Sequence, residues 1–350
     1  MEVITSTGTL LSLLSSLPLW PLLLLLPFLA ILIAEAVDTL RRRDNLGGQL
    51  VVITGAAGEL GRMLALEFAL AGSVVALWDI REPALQAVRD WLINEHRVPP
   101  SSIHCAVVDV SDAGAVAAGA EALKNALGRS PGVVVSNAGV VPGKSVLGFS
   151  DTQLERSFRI NALSHFWCAR TFVEQMLQSP SRKGVYVTVG SVMAAMPSVR
   201  LADYCASKAA VAQLHECLRC ELRATAKLHS VHCLHVQPYA IDTPLFEGAA
   251  LLGRGRRWQR YSLLRWVLPP LDARWVAGRV VRAVQTRRVR IVLPRLLFWI
   301  TAALPLLPVS LRDLVLDVAG SRGMDDFHGR PSHLFGVEPG SQGAASQLSG

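Results

Sequence analysis

The sequence predicts an α/β fold: a doubly wound parallel sheet of about seven strands with helices on both faces. Two patterns carry this. Short, near-continuous Val/Ile/Leu runs alternate with longer segments of helical periodicity, the signature of strands buried on both sides. The first such run passes directly into glycines spaced G-x-x-G-x-x-G that open a helix. A third observation adds a segment ahead of this fold: residues 3–34 hold no charged side chain.

In chain order, residues 49–55 (QLVVITG) read as a short buried strand ended by glycine, and residues 59–71 as a helix. Residues 73–79 (SVVALWD) form the second strand, followed by a helix to about His96. Residues 103–110 (IHCAVVDV) make the third strand and residues 113–127, rich in alanine, a helix. The fourth strand is residues 132–139 (GVVVSNAG), followed by one long helix over residues 152–178. The fifth strand is residues 184–191 (GVYVTVGS), and residues 204–226 are the next helix. Residues 231–238 (VHCLHVQP) form the sixth strand, residues 273–286 a helix and residues 289–294 (VRIVLP) a seventh strand.

The mean hydropathy of +0.35 is high for a soluble enzyme, and the N-terminal segment accounts for much of it. Residues 17–34 (LPLWPLLLLLPFLAILIA) are long enough for a bilayer span, which needs about 20 apolar residues. Glu2 precedes the segment and Arg41, Arg42 and Arg43 follow it, so the arginines and everything after them are expected in the cytosol. The missing basic n-region argues against a cleaved signal peptide. Pro18, Pro21 and Pro27 leave open a kinked span or a hairpin. Residues 1–46 are thus an expected anchor with its basic flank, residues 47–335 the α/β domain and the Gly/Ser/Gln-rich residues 336–350 a disordered tail. Within the domain, the apolar stretch at 295–312 is too short to span and is expected to lie on the membrane surface or to cap the substrate pocket.

The net charge of +8 is concentrated at residues 253–260 (GRGRRWQR) and 286–290 (TRRVR). No nucleic-acid motif accompanies these runs, so no nucleic-acid partner is expected; anionic headgroups or solvent are the two readings of the basic face. Six cysteines lie in the body of the chain, and only Cys217 and Cys220 have CxxC spacing. With no second pair, reduced helix cysteines are the expectation, and no metal site is expected.

The chemistry concentrates in two places. Residues 54–62 (TGAAGELGR) place Gly55, Gly58 and Gly61 between a strand and a helix, where glycines allow a tight turn and let backbone N–H groups approach a pyrophosphate. Asp79 ends the second strand about 20 residues further on, where the Rossmann pattern expects a carboxylate on the adenosine ribose. That favours NAD; Arg62 and Arg81 keep NADP open, because either is able to neutralise a 2′-phosphate. At the second place, Tyr204 and Lys208 stand one helical turn apart on one face. A free phenol titrates near pH 10, and a neighbouring ammonium is expected to lower that value. Ser191, ending the fifth strand, is positioned to bond a substrate oxygen beside the phenol.

Taken together, TGAAGELG, Asp79, Asp109, the Asn137–Ala138–Gly139 triplet, Asn161, Ser191, Tyr204 and Lys208 resemble the short-chain dehydrogenase/reductase family over roughly residues 50–294. The resemblance implies an oxidoreductase that moves a hydride between a nicotinamide cofactor and a CH–OH group. Tyr204 would be the general acid/base, Ser191 would orient substrate, Lys208 would hold the nicotinamide ribose and Asn161 would support a water relay. Gly55, Gly58, Leu60 and Gly61 would surround the diphosphate. Asp79, Asp109 and Val110 would meet the adenosine end, and Asn137, Ala138, Gly139, Tyr204, Lys208 and Thr243 the rest of the cofactor. The strings ALEFA, ALWDI, NAGVV, HFW and DYCASK, with an apolar N-terminus followed by arginines, are similar to the anchored branch of retinol and 17-beta-hydroxysteroid dehydrogenases of endoplasmic reticulum and lipid droplets. That implies a lipophilic substrate (retinoid, steroid or long-chain alcohol), a membrane-lipid partner, a catalytic domain facing the cytosol and a homodimer formed through the helices carrying Asn161 and Tyr204.

Three residues depart from the family pattern. Glu59 stands where many relatives have glycine and would repel a diphosphate unless it faces solvent. Ser136 replaces a usual asparagine, a mild change. Tyr239 replaces a glycine and is expected to crowd the nicotinamide or change its loop. Glu59 and Tyr239 motivate an alternative: a weakly active or inactive lipid-surface protein that keeps the fold. His165, near Asn161 on a helix, reads as a packed histidine. The substrate pocket is expected to be walled by Phe246 and the segment after it.

Overall fold

The computed structural model describes residues 43–179, 184–225, 227, 230–243 and 269–318, with Leu29, Ala30, Ile33 and Val37 before them. The chain divides into two units, Met1–Arg42 and Arg43–Gly350. No helix among the described residues is long and apolar enough to cross a membrane. Most of the segment read as an anchor, the basic run 253–260, Phe246 and the tail 336–350 lie outside the described residues.

The second unit is built on one seven-stranded sheet in the order β3-β2-β1-β4-β5-β6-β7. The strands are β1 (Leu50–Thr54), β2 (Val74–Asp79), β3 (Ile103–Val107), β4 (Val133–Ser136), β5 (Gly184–Val189), β6 (Val231–Pro238) and β7 (Arg290–Leu293). Every pairing is parallel. All five residues of β1 are buried, which explains its unbroken apolar run. Val51 and Ile53 face one core and Leu50 and Val52 the other.

The first core takes Met63 and Leu64 from α1 (Glu59–Leu70), Leu85 and Leu92 from α2 (Glu82–Asn94), and Val276 and Val280 from α7 (Ala273–Gln285). The second takes Val116 from α3 (Ala113–Leu127), Phe172 and Met176 from α5 (Ser164–Gln178) and Leu222 from α6 (Ala202–Ala224). There Trp78 and Phe172 meet at 5.3 Å, a tilted ring pair worth about 0.5–1.5 kcal/mol beyond its buried area.

The predicted single helix over residues 152–178 is a rod in three pieces. α4 (Asp151–Phe158) starts with a capping box between Ser150 and Gln153. A π turn follows at Arg159–Leu163, and α5 continues from it. The π turn carries one residue more than an α turn, which sequence periodicity does not reveal, and such turns concentrate at functional sites.

The apolar C-terminal stretch forms α8 (Leu296–Ala303), a 3-10 turn and α9 (Val309–Val318). Leu297, Leu304 and Leu316 pack into the core, while Phe298, Trp299, Leu306, Val309, Leu311 and Leu314 stay exposed. The second basic run is partly used within the domain: Arg287 pairs with Asp44 at 2.7 Å, and Arg290 donates to the Gln237 side chain at 2.8 Å.

Candidate active site

The strand order reverses between β1 and β4, so their carboxyl ends open a crevice of the kind in which such sheets bind ligands. The glycine turn lies there. Thr54 Oγ1 accepts from the backbone N–H groups of Asn137 at 2.9 Å and Ala138 at 3.1 Å. Asn137 Nδ2 donates back to the Thr54 carbonyl at 2.9 Å. Gly55 has φ +66°, and a Cβ there would lie 2.9 Å from the Ala138 Cα. A Cβ on Gly61 would lie 2.1 Å from the Gly55 carbonyl oxygen. Gly58 is the N-cap of α1 and offers no side-chain cap, so no capping side chain occupies the first-turn N–H groups, the kind of helix start that suits an anion. Leu60 packs on the core behind them. Close-packed glycines and an uncapped helix N-terminus fit a dinucleotide diphosphate.

Asp79 is buried, and both carboxylate oxygens already have partners. Oδ2 accepts from the Ala57 N–H at 3.0 Å, and Oδ1 from the Arg81 backbone at 3.1 Å and its Nε at 3.2 Å. The carboxylate therefore ties the glycine turn to the end of β2, and Arg81 is committed to it. Asp109 is exposed and accepts from the Ser111 N–H at 2.8 Å, beside the buried Val110.

Glu59 does not stand as a free charge. Both its oxygens are bound by Arg62, at 2.8 and 3.0 Å, and the Arg62 guanidinium also lies 4.8 Å above the Trp91 ring. The repulsion expected from Glu59 is thereby compensated, and Arg62 is not free for a 2′-phosphate. The Tyr239 ring packs into the first core with Ala240, Ile241 and Leu271, and its hydroxyl has no partner there. Ser136 is buried within β4.

The reacting end gathers Asn161, Ser191, Tyr204 and Lys208. Asn161, fully buried in the π turn, clamps Val140: Oδ1 accepts from its N–H at 2.7 Å and Nδ2 donates to its carbonyl at 2.9 Å. Ser191 Oγ accepts from the Met193 N–H at 3.1 Å and is hydrogen-bonded to the Tyr204 phenol. Lys208 Nζ lies 5.7 Å from the Tyr204 ring centroid and donates to the Val189 carbonyl at 3.0 Å. A Cβ on Gly139 would face Asn161 Oδ1 at 3.4 Å and Lys208 Nζ at 3.8 Å, which joins the fourth strand's end to this group. Thr243, half-buried, ends the described part of the loop after β6.

The expected lowering of the tyrosine pKa is not what this site shows. Burial pushes Tyr204 up to about 12, opposed by the Ser191 hydrogen bond, and pushes Lys208 down to about 8. Desolvation favours the neutral form of each, and the lysine spends one donor on a backbone carbonyl. Two residues escaped sequence reading. Ser157 donates to the buried Asp203 carboxylate at 2.5 Å, and Asn161 Nδ2 reaches Ser157 Oγ at 3.5 Å. That link fixes the start of α6, and with it Tyr204, against α4. The i, i+4 spacing of Ser157 and Asn161 was the available signal.

Cys217 and Cys220 are both exposed, and all six cysteines are free. Among the described residues, no group of three or more His, Cys, Asp or Glu side chains is arranged to hold a metal.

A glycine-lined dinucleotide cradle beside a buried tyrosine–serine pair defines a nicotinamide-dependent oxidoreductase site. Comparison with known proteins agrees. Residues 49–250 match the short chain dehydrogenase family. A short-chain dehydrogenase/reductase family 16C member 6 from Bos taurus is 32% identical over 286 residues, covering 81% of this chain and 84% of that protein. Retinol dehydrogenase 10-B from Danio rerio is 30% identical, covering 76% and 80%. A short-chain dehydrogenase/reductase from Burkholderia phymatum in complex with NAD superposes with a TM-score of 0.63 at 26% identity, covering 74% of this chain and 93% of that one. The chain belongs to the short-chain dehydrogenase/reductase family and is an NAD(P)-dependent oxidoreductase of CH–OH groups.

Proposed function

We propose that this enzyme interconverts a lipophilic alcohol and its carbonyl at a membrane surface, with Tyr204 transferring the proton and NAD preferred over NADP. The observation that carries it is the Tyr204–Ser191 hydrogen bond in a buried pocket backed by Lys208. The nicotinamide, when bound, supplies or accepts the hydride. Ser191 holds the substrate oxygen against the phenol. Tyr204 takes the hydroxyl proton in oxidation and returns it in reduction. Lys208 holds the nicotinamide ribose and steadies negative charge on the phenol, and Asn161 keeps the Val140 backbone in place beneath them. The test is an assay of membranes holding the full chain against retinol, a 17-hydroxysteroid and a long-chain alcohol, with each nucleotide in turn. Turnover of none of them removes the lipophilic-substrate reading.

The preference for NAD rests on Asp79, buried with Arg81 committed to it and Arg62 held by Glu59. NADH is expected to bind at least about tenfold more tightly than NADPH, since a 2′-phosphate facing a carboxylate costs on the order of 1.4 kcal/mol or more. Fluorescence titration of both nucleotides on one preparation checks this; equal affinities remove the Asp79 argument.

The retinol dehydrogenases among the relatives support a membrane setting for this chain. The cytosolic face of the endoplasmic reticulum or a lipid droplet is the proposed location, with residues 1–46 as anchor. Phe298, Trp299, Leu306 and Val309 form an exposed apolar rim between Arg295 and Arg312, suited to rest among headgroups. A Phe298→Glu/Trp299→Glu double variant is expected to raise the KM for a long-chain alcohol about fivefold while leaving NADH binding unchanged. An unaltered KM places the rim in water. Leu163 and Phe166 leave an exposed apolar face beside α5 that supports pairing of two copies through this helix.

A further inference from the structure

A cavity of about 110 Å³ lies beside the reacting group and shares none of its residues. Gln237 on β6 and Arg290 and Val292 on the edge strand β7 line it, with Val192, Phe298 and Ala302 around them. The 3-10 turn after Ser191, Val192–Ala194, separates the two places. Its Met193 packs in the cluster that holds Tyr204, whereas Val192 lines the cavity. Gln237 precedes Pro238, whose carbonyl accepts from Ser191 Oγ at 3.4 Å, so the cavity adjoins the reacting group without belonging to it.

The unspent polar groups of this cavity are donors. Gln237 is only 6% exposed. Its Oε1 accepts from Arg290 Nε at 2.8 Å, which leaves Nε2 without an acceptor among the described residues. The same bond holds the guanidinium by one edge at the mouth of the cavity. Its two terminal nitrogens meet no acceptor among the described residues, and no carboxylate there pairs with it. Thr301, also in the lining, spends its hydroxyl proton on the Leu297 carbonyl at 2.8 Å. A buried amide donor left without an acceptor is costly, so the cavity suits an occupant that accepts. A guanidinium adds the demand for negative charge, and its fork matches the two oxygens of a carboxylate.

The rest of the lining is apolar. Val192 and Val292 are buried, while Phe298 and Ala302, one helical turn apart on α8, share a face that leads from the cavity to the exposed apolar rim. An apolar cavity of about 150 Å³ admits a benzene ring. This one is somewhat smaller, with room for a carboxylate and its first methylenes but not for the glycerol and two chains of a phospholipid.

We infer that this cavity binds the carboxylate of a long-chain fatty acid. The carboxylate oxygens accept from Gln237 Nε2 and from the terminal N–H groups of Arg290, and the chain leaves over Phe298 and Ala302 toward lipid. The course of the chain rests on the proposed membrane position of that rim, and the head site does not. No bond forms or breaks, so the acid is held rather than turned over.

The test uses the full chain in phosphatidylcholine nanodiscs with NADH present, and a palmitate analogue bearing a photoreactive diazirine near its carboxylate. The labelled peptides are expected to carry residues 290–302 or 192–195. Oleate should displace the probe, whereas oleyl alcohol, with the same chain and no charge, should not. Arg290→Gln is expected to weaken labelling at least about tenfold while NADH affinity stays within about twofold. Gln237→Leu, which keeps the bulk and removes the amide donor, should weaken it in the same way. Labelling that both variants retain overturns the site, as does labelling confined to peptides carrying Tyr204. The displacement arm needs no variant: equal displacement by oleyl alcohol removes the carboxylate, and displacement by phosphatidylglycerol but not oleate makes the ligand a phosphate and overturns the inference. Failure of the membrane reading is separately visible, because Phe298→Glu/Trp299→Glu would then leave KM unaltered while labelling still depended on Arg290.

Discussion

Tyr204→Phe is expected to cut kcat/KM about a thousandfold while NADH binds within about threefold of wild type. The phenol is buried, it is bonded to Ser191, and the change removes a single oxygen. The ring volume and its contacts with Val141 and Leu201 remain, so the fold should hold. Steady-state kinetics beside a nucleotide titration separates the two quantities. Residual activity above about a tenth of wild type would give the proton to another group. A parallel loss of NADH binding would point instead to a disturbed pocket.

Gly61→Ala should damage the other end of the site. The added methyl would sit 2.1 Å from the Gly55 carbonyl, a backbone atom that cannot step aside without moving the turn. Gly55 is itself fixed against Ala138, and its neighbour Thr54 holds the Asn137 and Ala138 N–H groups. Overpacking of this kind costs about 1–3 kcal/mol, which for a domain of this size lowers Tm by about 5 °C. NADH affinity should fall at least about tenfold, because the N–H groups proposed to meet the diphosphate would move with the turn. Thermal melts with and without NADH check both parts. Wild-type melting and wild-type affinity would mean that the turn is softer than its packing indicates.

The strands were legible in the sequence because strands buried on both faces leave long apolar runs, as at Leu50–Thr54 and Val133–Ser136. Tyr204, Lys208 and Ser191 were legible because their chemistry constrains both residue type and spacing, and the structure brings them together with Asn161. What escaped were interactions between distant segments. Nothing local to Asp79 announces its bond to Ala57, nor does anything near Glu59 distinguish an ion pair with Arg62 from a free carboxylate. The Tyr204 shift runs opposite to what the spacing implies for a related reason. Spacing gives the distance between two charges, whereas burial, which dominates here, depends on the whole fold. The π turn at Arg159–Leu163 was invisible because hydrophobic periodicity tolerates one extra residue.

That turn has a consequence for how the gene can change. Its surplus residue acts as an angular offset of about 100° between the stretches on either side. Deleting one codon there would straighten the rod into a continuous α-helix and swing its first half around its axis relative to the second. Asn161 would lose its grip on Val140, and the Ser157–Asp203 contact would part while the composition of the helix stayed almost the same. Point substitutions elsewhere on this rod's outer surface should be absorbed readily, but a change of reading length at this spot should not.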